Sequence, residues 1–286
     1  MKIGYSSYSL SKALKSGDLN WISLIRWVKE NGGEHLEIVS LTLSMGTPEV
    51  SLDDIIKEAR EQGVVISGYT VGANFLKDTE EEYEAEIQRV MREVDVAAKL
   101  GVTRMRHDAG SRPIPETTVD RFERDFPRLV NACQRIADYA RQYGIVTSVE
   151  NHGFHLQNSE RVHRLVLAVD RENFRTTLDI GNFLCADEDP LSAVKNNIGI
   201  ASFVHFKDFY RRKPGVQPGD GWFRSRAGYC LRGAILGQGD IDIPAIAEVV
   251  KTSGYDGFVS LEFEGLEESR FGSATGLKYL KTLLAS

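Results

Sequence analysis

The run Ile145-Val146-Thr147-Ser148-Val149-Glu150-Asn151-His152-Gly153 passes from β-favouring side chains straight into a carboxylate, an amide, an imidazole and a glycine. A buried strand carries apolar residues for packing, and it ends in polar ones where its tip lines a site. Glu150 therefore reads as a metal ligand and catalytic base. Three further segments expected to be strands, Phe174–Asp179, Ala201–Phe206 and Gly257–Glu262, carry Asp179, His205 and Glu262 at or near their ends. Three carboxylates and one imidazole supply hard oxygen donors plus a borderline nitrogen. Such a set suits Mn²⁺, Mg²⁺ or Co²⁺ and leaves coordination positions for substrate oxygens or water. Singly, each residue would pass for a cap or a satisfied surface group; at successive strand ends they form a pattern.

For four such residues to meet, the fold must gather its strand ends. The chain predicts this. Lys2–Tyr5 reads as a first strand, followed by a helix that Asp18 can cap, with Trp21, Ile22, Ile25 and Val28 on one face. His35–Val39 is a second strand, before a helix capped by Ser51. A third strand, Val64–Tyr69, precedes a long helix in which Tyr83, Ile87, Val90, Met91, Val94 and Ala98 recur at helical spacing. Val102–His107 is the fourth strand, and a helix reaching about Tyr143 follows, with Pro127 expected to kink or restart it. After the fifth strand, a helix starts at Ser159. The sixth strand precedes a helix at Pro190–Asn197, and the seventh leads into a long connection, Asp208–Asp240. A helix at Pro244–Ser253, the eighth strand and a closing helix at Leu277–Leu284 complete the chain.

Strand–helix repeated eight times over 286 residues gives roughly 36 residues per unit, which suits a single (β/α)₈ TIM barrel, an α/β fold, spanning 1–286 with a long loop at about 208–240. No glycine-rich nucleotide loop follows the first strand, so a doubly wound open sheet fits less well. Hydrophobic residues make up 42% and charged residues 27%, with a net charge of −6, an ordinary globular balance that lacks the basic face of a nucleic-acid binder. No signal-peptide pattern and no membrane-length apolar run occurs. Cys133, Cys185 and Cys230 lie far apart with no Cys-x-x-Cys pair, so free thiols in a reducing, cytoplasmic setting are expected and a thiolate-caged zinc is not.

Four motifs carry a resemblance: Val149-Glu150-Asn151-His152-Gly153, Leu178-Asp179-Ile180-Gly181-Asn182, Val204-His205-Phe206-Lys207-Asp208, and Tyr255-Asp256-Gly257-Phe258-Val259-Ser260-Leu261-Glu262. Together, in this order, they resemble the xylose-isomerase-like TIM-barrel superfamily. More narrowly they resemble its sugar phosphate isomerase/epimerase branch, which includes ketose 3-epimerases, hydroxypyruvate isomerases and inosose dehydratases. The resemblance implies that Glu150, Asp179, His205 and Glu262 bind one divalent metal, manganese foremost, and that Glu150 and Glu262 exchange the substrate proton. Glu264 is the rival to Glu262, because alternate strand residues share a face.

The chemistry follows. A proton beside a ketone is too weakly acidic for an unaided carboxylate, whereas a chelated divalent metal stabilises the enediolate that forms. One glutamate can then remove the proton and a second acid can return one. Return to the opposite face gives epimerisation, return to the adjacent carbon gives isomerisation, and loss of a β-hydroxyl gives dehydration. The expected function is thus a metal-dependent sugar isomerase or epimerase acting on a small ketose, keto-inositol or related hydroxy-ketone. An inosose-type dehydratase is the alternative, as is the catalytic subunit of a C-glycoside-cleaving complex.

Lys207 and His152 each follow a ligand by two residues and should share its face: Lys207 is expected to touch substrate or to pair with a neighbouring carboxylate such as Asp208, and His152 to bind substrate or orient a ligand. Glu37 is expected to contact substrate or form a rim ion pair, and His107 and Asn182, near other strand ends, are further substrate-contact candidates. Trp222 and Arg224 in the long connection join apolar surface to donors, and a lid over the site, or a subunit-contact loop, is expected there. A type-IV abasic-site endonuclease shares barrel and ligands, but only six histidines occur, and Asn182 stands where its metal cluster would want one. The partner expected is a small carbohydrate, with neither nucleic acid nor membrane. A homo-oligomer or a partner subunit is left open.

Overall fold

The structure, a computed structural model, describes residues 1–45 and 50–284. Eight parallel strands close into a barrel: β1 (Lys2–Ser6), β2 (His35–Val39), β3 (Val65–Val71), β4 (Arg104–His107), β5 (Val146–Glu150), β6 (Phe174–Asp179), β7 (Ala201–Phe206) and, after an insertion, β11 (Phe258–Leu261). Each strand pairs with its neighbour in sequence, and β1 closes the ring against β11 through Lys2 beside Phe258 and Tyr5 beside Leu261. This is the single (β/α)₈ barrel that the alternation of elements predicts. Apolar residues facing outward from the strands, such as Ile38, Val149, Leu178 and Val204, are fully buried beneath the helical layer. The inward face is unusually polar. His35 and Glu37 on β2, Ser148 and Glu150 on β5, and His205 on β7 are buried within the ring.

Several local expectations need correction. The helix Trp21–Glu30 is capped by Asn20, not Asp18; the Asn20 side chain accepts from the Ser23 N–H while Ser23 Oγ accepts in return from Asn20 N. Asp18 instead accepts a hydrogen bond from Ser16 Oγ at 2.8 Å. The helix Val119–Arg141 runs unbroken through Pro127. Buried Phe122 and Leu129 on either side hold it against the barrel, which outweighs the one backbone hydrogen bond that proline forfeits. The closing helix begins at Ser269, a good deal earlier than the apolar stripe suggests. Its first half packs through Gly272 against Phe263, a close approach that leaves no apolar side chain to read.

The long connection after β7 is an ordered element. β8 (Asp208–Arg212), β9 (Phe223–Arg224) and β10 (Cys230–Ala234) form a three-stranded antiparallel sheet in the order β8-β10-β9. Asp208 fastens its base: the carboxylate accepts backbone N–H groups from Phe209, Gly237 and Gly239 at 2.8–2.9 Å. Gly233 of β10 lies against Gly265 just past β11, and a Cβ at Gly233 would stand 2.6 Å from the Glu264 carbonyl. Among the described residues no helix is long and apolar enough to cross a membrane.

Candidate metal centre

At the rim where the parallel strands end, Glu150, Asp179, His205 and Glu262 each offer an atom within 4.8 Å of the others. Register explains the convergence. Asp179 is paired directly with His205, and Ser260 lies opposite His205 on the other side, so Glu262 emerges beside it one step past the strand. Between β5 and β6, Asn151 and Asp179 clasp each other's edges: Asn151 Nδ2 donates to the Asp179 carbonyl, and Asp179 N–H donates back to Asn151 Oδ1. The amide after Glu150 therefore sets the height of Asp179.

The atoms of this cluster are unequally satisfied. Asp179 Oδ1 accepts the N–H groups of Gly181 and Asn182 at 2.8 and 2.9 Å, whereas Oδ2 is buried without a hydrogen-bond partner. His205 Nε2 lies 2.8 Å from Glu37 Oε2, whose carboxylate can only accept, so that nitrogen carries the proton. The unprotonated Nδ1 of a neutral ring then faces Glu150, Asp179 and Glu262 at 3.4, 3.9 and 3.9 Å and makes no hydrogen bond. A lone pair aimed at carboxylates in a buried place calls for a cation among them, either a proton or a metal. The donor set, the orphaned Oδ2 and the orphaned Nδ1 together fit a divalent metal, with Glu37 fixing the imidazole from behind.

Two basic side chains complete the electrostatics. The Arg106 guanidinium, nearly buried, contacts Glu150 Oε2 and lies 2.6 Å from Asp108 Oδ1. Burial would raise the Glu150 carboxyl, but Arg106 and His205 hold it well below the usual carboxylate range. Lys207 Nζ lies 2.6 Å from Glu262 Oε2 and 3.4 Å from Asp179 Oδ2. Burial opposes its charge, yet Asp179, Glu262 and Glu264 keep the ammonium protonated. Asp179 is the exception: burial, with Glu150 and Glu262 close by, pushes its carboxyl up to about 7 against the pull of Lys207.

A cleft of about 230 Å³ opens above the cluster, lined in part by Tyr8, Arg106, Glu150, His152, Asn182, Lys207 and Glu262. It is smaller than a typical drug-sized pocket and fits a small polar molecule. Of the residues expected to contact substrate, the structure brings Lys207, His152 and Asn182 to its wall. Asn182 also donates to Glu150 Oε1 at 3.2 Å. The others go elsewhere. Glu37 is buried beneath the rim, engaged by His205 and by Thr70 Oγ1 at 2.6 Å. His107 faces outward from β4: it is fully buried, packs against Phe75 and Phe174, and its Nδ1 meets the Asp108 carbonyl at 2.8 Å. Alternation puts Arg106 inward and His107 outward, the reverse of what its place at a strand end suggested. Arg224 donates to the Gly228 and Val216 carbonyls, and Trp222 lies against Arg212 and Arg232, both within the inserted sheet and off the cleft. Among the described residues, those lining the cleft include none of the insertion, whose Gly221, Phe223 and Gly233 line a neighbouring chamber instead, so the expected lid does not cover the cleft in this structure.

Sequence reasoning passed over Arg106, Asp108 and Tyr8. The Arg104-Met105-Arg106 alternation is the signal that could have found the first, because two cations on the inward face of a barrel strand need buried acids.

The sequence profile of a family described as xylose isomerase-like TIM barrel matches residues 25–283. An inosose dehydratase of Lacticaseibacillus casei is 28% identical over 153 residues, covering 52% of this chain and 49% of that protein. The chain thus spans about half the length of the curated relatives it matches. Among solved structures, the IOLI protein with a bound zinc atom superposes with a TM-score of 0.79 at 18% identity, covering 100% of this chain and 98% of that one. A D-psicose 3-epimerase crystallised in the presence of D-fructose gives a TM-score of 0.74 at 17% identity, with both chains covered in full, 100% each. At these identities the structural likeness speaks for the fold.

Proposed function

The chain belongs to the xylose isomerase-like TIM-barrel family, and from that premise we propose that it is a divalent-metal-dependent sugar isomerase or epimerase. Its substrate is a small ketose, keto-inositol or related hydroxy-ketone. The observation that carries this reading is the four-residue cluster at the floor of a small polar cleft, with Asp179 Oδ2 and His205 Nδ1 both lacking partners. Glu150, Asp179, His205 and Glu262 would hold the metal, with Mn²⁺ the first choice for three carboxylates and one imidazole. A divalent cation in that place acts as a Lewis acid on the oxygens of a ketone and its neighbouring hydroxyl, which acidifies the intervening C–H.

The chain's own residues then handle the proton. Glu150 and Glu262 stand on opposite flanks of β6 and β7, so a sugar carbon between them is reached by one carboxylate from each side. One takes the proton; the other, once protonated, returns one. Arg106 keeps Glu150 ionised and ready to accept. The Lys207 ammonium, already at the wall, donates to a substrate oxygen on which negative charge grows. His152 and Asn182 orient the remaining hydroxyls.

A dehydratase is the second reading, favoured by the inosose dehydratase relatives. Here the carbanion's electron pair expels a β-hydroxyl, and a wall acid supplies the proton that turns it into water. Solvent exchange separates both from inactivity. With Mn²⁺ present and D₂O as solvent, the protein should wash deuterium into the carbon beside the carbonyl of a ketose or keto-inositol, and Glu150→Gln should abolish it. Exchange at the parent rate in that variant would sink the assignment. Appearance of an enone in place of an isomer decides for dehydration.

A further inference from the structure

We propose that the natural substrate carries a second ring on its sugar ketone, and that an adjoining chamber between the cleft and the inserted sheet receives that ring. The inference rests on the reading of the cleft as a sugar site and narrows its substrate class. The chamber measures about 220 Å³, nearly the same as the cleft at about 230 Å³. The two share walls: Tyr8 and Glu264 line both. The space over the metal cluster and this second space of similar size are thus neighbours, with the Tyr8 and Glu264 side chains between them.

The lining of that space is suited to a ring. Phe223, at the tip of the inserted sheet, leaves 38% of its surface exposed while its ring packs edge-on against buried Phe209. A partly exposed aromatic side chain offers apolar surface to the C–H face of a pyranose or to an aryl group. Around it, Gly221, Gly233 and Gly265 present bare backbone, and Ser11 and Lys12 add donors at the rim. The backbone contact of Gly233 with Gly265 keeps this wall at a fixed distance from β11. Nothing in the proton chemistry requires this second space. A free hexose would leave it to solvent.

The test uses the Mn²⁺-loaded protein with D-fructose and a positional series of glucosyl-fructoses whose keto group is free, plus phenyl ethers of fructose to separate a sugar ring from an aryl one. Binding is measured by calorimetry and, separately, deuterium exchange beside the carbonyl by NMR. At least one ring-bearing ketose should bind roughly tenfold more tightly than fructose, the scale of burying one ring face. Phe223→Ala should remove most of that advantage, and Ser11→Trp, which fills the chamber from a half-exposed position, should remove it as well. Equal affinity across the series, no affinity at all, or losses in Phe223→Ala that are the same for fructose and its derivatives would overturn the proposal. Tighter binding of a ring-bearing ketose without any deuterium exchange would instead uphold the chamber and refute the proposed chemistry.

Discussion

Glu37 Oε2 on β2 accepts the Nε2–H of His205 on β7 at 2.8 Å, across a closed barrel in which β11 and β1 separate the two strands, and Thr70 Oγ1 steadies the other oxygen of the same carboxylate at 2.6 Å. The pair fixes which imidazole nitrogen is free to meet a metal. Glu37→Gln keeps the shape but removes the charge, so metal affinity should fall about tenfold to a hundredfold, the range for losing such a supporting carboxylate. Mn²⁺ titration followed by calorimetry checks this. Parent-like affinity would mean that Glu37 serves only barrel packing.

Metal loading should be visible as stability. A ligand present at a hundredfold excess over its Kd stabilises the folded state by about 2.7 kcal/mol. For a chain of this length that corresponds to a rise in melting temperature of about 4–5 °C. Calorimetric scans in EDTA and after adding Mn²⁺, Mg²⁺, Co²⁺ or Zn²⁺ would rank the metals. The rise should vanish in Asp179→Asn, which replaces a ligand whose buried Oδ2 has no hydrogen-bond partner and only the Lys207 ammonium, 3.4 Å away, near it.

Gly233→Ala should loosen the inserted sheet without harming the barrel. The new Cβ would fall 2.6 Å from the Glu264 carbonyl, backbone that cannot swing aside. A loss of about 1–3 kcal/mol is expected, the range for overpacking. Limited proteolysis should then cut within the insertion while the circular-dichroism signature of the barrel persists. Uncut protein would show that the contact is slack.

His35 provides a pH prediction. Burial lowers its imidazole from 6.5 to about 4, only partly offset by the Val259 carbonyl, so the folded protein keeps it neutral where the unfolded chain would protonate it. The unfolded state binds more protons between those values, and stability contributed by His35 therefore falls as pH drops from 6.5 to 4, by at most about 3 kcal/mol. His205 acts in the opposite sense, since Glu37, Glu150 and Glu262 overcome its burial and favour its charged form. The difference between parent and His35→Gln isolates the effect. Urea unfolding of metal-free protein should show the variant less stable at pH 7 yet losing less on acidification; parallel pH profiles would refute it.

The barrel was legible because its strand ends carry chemistry. Glu150, Asp179, His205 and Glu262 stand out from the apolar runs before them, and helical periodicity fills the gaps between. Legibility failed where two positions look alike in one dimension. His107 and Arg106 are neighbours at the end of the same strand, and only the register of β4 against β5 decides which enters the ring. The inserted sheet escaped for a different reason. Its strands are short and rich in arginine, and their pairing is fixed by tertiary contacts that Asp208 and Gly233 make with distant backbone. Glu37 was found with two tasks open, substrate contact or a rim ion pair, and it pairs with His205. A buried carboxylate at a strand end looks the same whether it faces a ligand or a histidine behind one.

Asp208 has a wider consequence. By gathering N–H groups from Phe209, Gly237 and Gly239, it ties the entry and exit of the insertion to a single point directly after Lys207. The excursion between is pinned again farther out, where Gly233 lies against Gly265 and Ser225 and Ala227 donate to Asp187. The insertion is thereby anchored to the barrel at the residue that follows a wall residue of the cleft, so its base is held at the cluster's own height.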